Sequence, residues 1–217
     1  MTTIDLTTIT LDKGAHDDRE DGVCLLEAVA WFAGEPHDDS PECVSPILAA
    51  FGRNLNDVLS HDRRQQLKPL IPQMPGTRND GLDEQRGYLA LDWLVRTYTP
   101  AWLELAGLSA EAQALRELRR IVDLSAAQAA GPVVRAGAEK ARAARAAAWD
   151  AAWDAARAAA RAAARDAARD AARAAAWDAA RDAARDAARA ALQPTVDHLQ
   201  DSAIALFTSM IQPAKES

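Results

Sequence analysis

The stretch 149-WDAAWDAARAAARAAARDAARD-170 is written in units of four, and its reading decides the fold. Alanine has the highest intrinsic helix propensity and arginine follows closely, so the segment predicts α-helix. From Arg145 to Leu192 there are twelve consecutive tetrads. Their first position is Arg nine times and Trp three times, the second is Asp seven times and Ala otherwise, and the rest are Ala except Leu192. Four residues advance an α-helix by about 400°, so each tetrad starts about 40° further round than the last. The charged stripe therefore winds around the helix. A heptad seam, which would hold one face toward a partner helix, is absent. A supercoil straightening a four-residue repeat would be right-handed and far tighter than an 11-residue repeat demands.

What the spacing supplies is local support. Asp154 and Arg157, Asp166 and Arg169, Asp170 and Arg173, Asp178 and Arg181, Asp182 and Arg185, and Asp186 and Arg189 are i,i+3 pairs with the acid N-terminal. Each contributes about 0.2–0.5 kcal/mol to a helix that needs no buried face. Between Pro132 and Pro194 only Gly137 interrupts the strong helix formers. The run predicts one helix of about 60 residues, roughly 90 Å long, with Pro132 at its first position and Pro194 ending or kinking it. Trp149, Trp153 and Trp177 fall within about a third of the circumference and are the predicted contacts, because large apolar patches mark interaction surfaces. A coding repeat that lengthened and was tolerated because it is helical would leave the same pattern.

Downstream, Leu199, Leu206, Phe207 and Met210 lie on a short amphipathic helix and complete the predicted interaction residues. Upstream, Ile4, Leu6, Ile9 and Leu11 alternate among threonines and read as extended chain, a tether or an edge. A helix is expected from Arg19 to Ala33, with Gly22 awkward in its first turn, and another after the Ser45-Pro46 cap. Three prolines in 67-LKPLIPQMPGT-77 forbid continuous helix and predict a rigid apolar connector. Helices follow at Asp83–Tyr98, after Pro100, and from a Ser109 cap through Leu115, Leu118, Ile121 and Val122. The expected fold is all-α: an extended segment 1–14, a compact acidic helical domain 15–131, a very long Ala-rich helix 132–192, and a C-terminal amphipathic helix and tail 193–217.

The charge of the 217-residue chain is uneven. Residues 1–132 hold 21 acids and 12 bases, and residues 133–192 hold 8 acids and 12 bases. A phosphate backbone wants clustered Lys and Arg, so arginines diluted by interleaved Asp argue against nucleic acid. No apolar run approaches the ~18 residues that span a bilayer, and the first residues lack a basic start followed by an apolar core, which predicts a cytoplasmic protein without a membrane partner. Cys24 and Cys43 are then expected as free thiols.

The region from Asp12 to Glu42 contains ten acids and two bases, with His16, Cys24, Glu27, His37 and Cys43 among them. Thiolate and imidazole are zinc's preferred ligands, which makes His16, Cys24, His37 and Cys43 candidates, and Glu27 on an apolar helix face is a candidate general base. Seven residues separate His16 from Cys24 and five separate His37 from Cys43, wider than the usual paired-ligand spacing. Core thiols and solvated acids account for the same residues, so no cofactor is expected. The phosphate-binding glycine loop, HExxH, GxSxG and CxxC signatures are all missing.

The stretches 22-GVCLLEAVAWFAGEP-36, 67-LKPLIPQMPGT-77 and 90-ALDWLVRTYTPAWLELAGL-108, in that order, resemble a group of small proteins of actinobacteria and their phages. The resemblance covers about residues 10–125, and such domains can carry an Ala/Arg/Asp-rich tail. It implies a bacterial or phage cytoplasmic context and brings no activity or site residues with it. The sequence thus points first to a non-enzymatic interaction or scaffold protein with a helical rod or oligomerisation element. The alternatives are a metal-dependent domain built on the 16–43 cluster, or a phage-type regulator that binds a host protein through its acidic surface.

Overall fold

The computed structural model describes residues 5, 6, 8–165 and 170–213; the side chains of residues 149, 151–153 and 155–184 lie outside the described residues. The chain is all-helical, with no strand among the described residues. The helices are α1 (Leu25–Ala33), α2 (Pro46–Val58), α3 (His61–Arg64), a 3₁₀ stretch (Gln65–Gln73), α4 (Asp83–Trp93), a π-helical turn (Leu94–Tyr98), α5 (Thr99–Leu105), α6 (Ser109–Arg116), α7 (Leu124–Arg165) and α8 (Asp170–Ile211). They divide into two compact units. Unit 1 comprises Met1–Leu94, Arg120–Gln128 and Gln200–Ser217, and unit 2 comprises Val95–Arg119 and Ala129–Leu199.

Unit 1 is built around α1, whose residues Leu25 to Ala30 are all buried. The expected helix from Arg19 is shorter at its start. Gly22 has φ +144°, outside helical space and poorly open to other residues, so the helix begins only after Cys24. Helix α2 starts as read, with Ser45 accepting the Leu48 N–H and Pro46 in the first turn. It packs closely because Gly52 carries no side chain: a Cβ there would lie 3.0 Å from Phe207 Cζ and 3.1 Å from Leu26 Cδ2. The proline-rich connector is a 3₁₀ helix that includes Pro69 and Pro72 and buries Leu67, Leu70 and Ile71. Ile9 and Leu11 are buried as extended chain, and the Gln65 amide clamps Leu11, accepting its N–H at 3.0 Å and donating to its carbonyl at 2.9 Å.

The last turns of α8 complete this core. Ala203, Phe207, Met210 and Ile211 recur at helical spacing and are buried. Phe207 stacks on Phe51 at 5.7 Å, Phe51 meets Trp93 edge-on at 6.4 Å, and the Trp93 indole N–H donates to Ser202 Oγ at 2.9 Å.

In unit 2, α5 and α6 form a tight pair. Gly107 takes φ +74° to turn the chain, and the Arg116 guanidinium reaches Glu104 at 2.5 Å. Helix α6 stops at Arg116, short of the expected Leu118–Val122, and Ser109 is its first residue, its hydroxyl donating to Glu104 at 2.8 Å. Helix α7 begins at Leu124, earlier than expected, because the Asp123 carboxylate accepts the Ala126 N–H at 2.7 Å and caps it. Pro132 and Pro194 both lie inside helices, so the segment expected as a separate C-terminal helix is the last part of α8. Of the i,i+3 pairs, Asp186 and Arg189 approach to 3.9 Å; each other pair has a side chain outside the described residues.

Candidate functional site

Among the candidate residues, the structure gathers His16, Cys24 and His37 around Glu27. Glu27 is the third residue of α1, where a carboxylate can reach back to the orphan N–H groups of the helix start. Its Oε2 accepts the Cys24 N–H at 2.7 Å, and Cys24 Sγ faces the Glu27 N–H in return. Its Oε1 accepts the His16 N–H at 2.7 Å, and Oε2 also meets His16 Nδ1 at 2.9 Å. The carboxylate is 1% exposed. The His16 ring lies against Gly22, so close that a Cβ there would sit 2.6 Å from it, which is why that position is glycine. His37 Nε2 lies 3.9 Å from Glu27 Oε2, and neither ring nitrogen of His37 has a hydrogen-bond partner among the described residues.

The chemistry of this cluster is that of a clamp. Burial alone would raise the Glu27 pKa, but the Cys24 and His16 N–H groups, then the His16 ring and the Cys24 side chain, outweigh it and hold the carboxyl below its usual value. A general base works best with a pKa near the ambient pH, and these donors shift Glu27 away from it. Burial, with the Glu27 charge adding to it, pushes the Cys24 thiol up to about 12. Burial and Glu35 do the same to Cys43, also to about 12. Both thiols are protonated at neutral pH, whereas nucleophilic and ligating cysteines are thiolates. Cys43 keeps separate company, its N–H donating to Glu35 at 2.9 Å. No group of three His, Cys, Asp or Glu among the described residues is arranged to hold a metal ion.

A second polar cluster went unread in the sequence. The Arg86 guanidinium is fully buried, with Asp80 at 2.5 Å and Asp83 at 3.1 Å. Its Nε donates to the Met210 carbonyl at 2.9 Å and Nη2 to the Ile211 carbonyl at 3.5 Å, so it satisfies two of the last carbonyls of α8. Ser45 Oγ donates to Asp83, and the Thr77 hydroxyl accepts the Ser45 N–H at 3.0 Å, which ties the α2 cap into the same network. Burial would lower the Arg86 pKa, but Asp80 and Asp83 more than compensate, and Arg86 in turn holds Asp80 below its usual range. The i,i+3 spacing of Asp83 and Arg86 was visible in the sequence; nothing there marked the C-terminal carbonyls as partners.

Of the predicted interaction residues, Leu199, Phe207 and Met210 are buried and Leu206 packs partly buried against the core. The side chains of Trp149, Trp153 and Trp177 lie outside the described residues. No helix among the described residues is long and apolar enough to cross a membrane. No protein-family model, curated protein or solved structure matches the chain.

Proposed function

We propose that the protein is a non-enzymatic helical interaction protein whose tetrad repeat displays a winding charged surface to a protein partner or a second copy. One observation carries this reading: the described residues at the end of the repeat, 185–194, are all exposed. The leading flank is held where the Ile121 N–H donates to Asp92 at 2.8 Å with Ile121 buried. The trailing flank is held by Phe207, Met210 and Arg86. Residues 129–199 as one straight helix would measure about 107 Å.

This gives the tetrad a purpose. An arm without a heptad seam needs helices that hold themselves, and alanine with Asp–Arg support does that. Charge favours protein partners: unit 1 has 20 acids and 10 bases, unit 2 has 12 acids and 15 bases, and neither is strongly basic. Three donors already converge on the Glu27 carboxylate, which favours a structural clamp over the metal or enzyme alternative.

Small-angle scattering with light-scattering mass on the full chain tests the reading. A compact particle at monomer mass, with a maximum dimension far below the ~107 Å of a straight helix, would overturn the reading, because the charged surface of the repeat would then be packed away. A mass that rises with concentration and falls back when Trp149, Trp153 and Trp177 are changed to Ala identifies a second copy as the partner. A monomer at all concentrations turns the search to other proteins.

A further inference from the structure

Unit 2 contains a cavity of about 110 Å³ where α5 and α6 meet α7, walled by Val95, Leu103 and Leu115 on one side and Val134, Gly137 and Ala141 on the other. Thr99 is the one lining residue with a polar side chain. Gly137 is buried, and a Cβ built on it would find nothing within 4 Å. Glycine at a helix interior is less favourable than alanine, and this one stands where alanine fills its neighbours at 136 and 138. The glycine therefore keeps open a space that even the smallest side chain would begin to fill.

We propose that this cavity binds a small, uncharged, apolar molecule no larger than a single aromatic ring. The space is partly open to solvent beside Val134, but water in it finds few partners on so apolar a lining, and about 150 Å³ lined by aliphatic and aromatic groups is enough for benzene or xenon. The lining offers no charged group, so the selectivity is for size and apolarity. Binding gains the dispersion contacts that the open wall at Gly137 forfeits, and the occupant bridges the α5–α6 pair to α7.

The test is titration of the full-length protein with benzene, read by methyl NMR and by thermal unfolding. Saturable shifts confined to the methyls of Val95, Leu103, Leu115 and Val134, with a rise in Tm, are expected. Gly137→Leu, which fills the space, is expected to weaken binding at least tenfold. Gly137→Ala, which adds a single methyl where there is room, is expected to fold well and to weaken it at least threefold. Absence of saturable shifts in the wild-type protein up to the solubility limit of benzene overturns the proposal. So does undiminished binding in Gly137→Ala, the variant that decides the matter if Gly137→Leu fails to fold.

Discussion

Placing Phe207 in the core of unit 1 can be tested through the glycine it touches. In Gly52→Ala the new Cβ would stand 3.0 Å from Phe207 Cζ, 3.1 Å from Leu26 Cδ2 and 3.4 Å from Leu25 Cδ2. Carbon pairs prefer about 3.5–4.0 Å, so two of these contacts are too short by about 0.4–1 Å. Alanine returns up to about 1 kcal/mol of helix propensity, and overpacking costs about 1–3 kcal/mol. The net expectation is a loss of about 1 kcal/mol. Phe207→Leu deletes the offending Cζ from a fully buried ring and by itself costs about 1–2 kcal/mol, less than the 3–5 of a Phe→Ala change. With both changes present the worst clash is gone, and Leu26 gains room to turn away. The double variant should then be more stable than the sum of the single effects by about 1 kcal/mol. Urea unfolding of the four proteins, followed by far-UV circular dichroism, measures this coupling. Additivity within about 0.3 kcal/mol would mean that Gly52 and Phe207 do not touch, and the packing of the end of α8 on α2 would fall with that contact.

Gly87 in α4 is the opposite case, since a Cβ there meets nothing within 4 Å; Gly87→Ala should raise stability by up to about 1 kcal/mol in the same assay. Glu27→Gln should cost about 2–4 kcal/mol, because an amide cannot accept from all the donors that converge on the carboxylate. The folded Glu27 carboxyl titrates below its usual value, so its stabilisation is complete above the unfolded pKa of about 4.3 and is lost as pH falls through the lower folded value. The gap in stability between wild type and Glu27→Gln should therefore close below about pH 4, and a gap independent of pH would refute the assignment. Arg86→Met should cost about 3–5 kcal/mol by stranding buried partners and should speed amide exchange across 203–211 relative to α1. Cys24, buried and with its thiol pushed up to about 12, should resist iodoacetamide at pH 8 until the protein unfolds.

The helices were legible where apolar periodicity and caps agreed. Ser45-Pro46 opened α2 as read, because capping is decided by neighbours within a turn. The errors fell where a distant residue decides. The start of α1 is set by the His16 ring, which needs glycine at residue 22 and so keeps the chain out of helix there; sequence periodicity does not register that contact. The 67–77 segment was rightly denied α-helix, but its i→i+3 winding follows from the burial of Leu67, Leu70 and Ile71, which is tertiary. The Glu27 cluster shows a different limit. Composition identified His16, Cys24, Glu27 and His37 as chemically capable, and the chain does bring them together. Whether such a group is a site or a clamp depends on how many donors each acceptor already holds. That count is a property of loop geometry and leaves no trace in residue spacing.

The same distinction governs the C-terminal segment. Its pattern of Leu199, Ala203, Phe207 and Met210 declares an apolar face and cannot declare what covers it. A free amphipathic helix would keep its last carbonyls in water. Here those of Met210 and Ile211 are met by a buried guanidinium that also needs Asp80 and Asp83. A buried charge so placed is costly unless every partner is present, so the end of α8 and the fold of unit 1 stand or fall together. The tetrads, by contrast, are written with acid and base within one turn of each other, which a helix can use without a buried face. Deleting one tetrad from each of α7 and α8 should leave the stability of unit 1 within about 0.5 kcal/mol, the range of surface changes that touch no buried feature. Urea unfolding measures this, and a larger loss would show that the tetrads support unit 1 through contacts beyond their own turn.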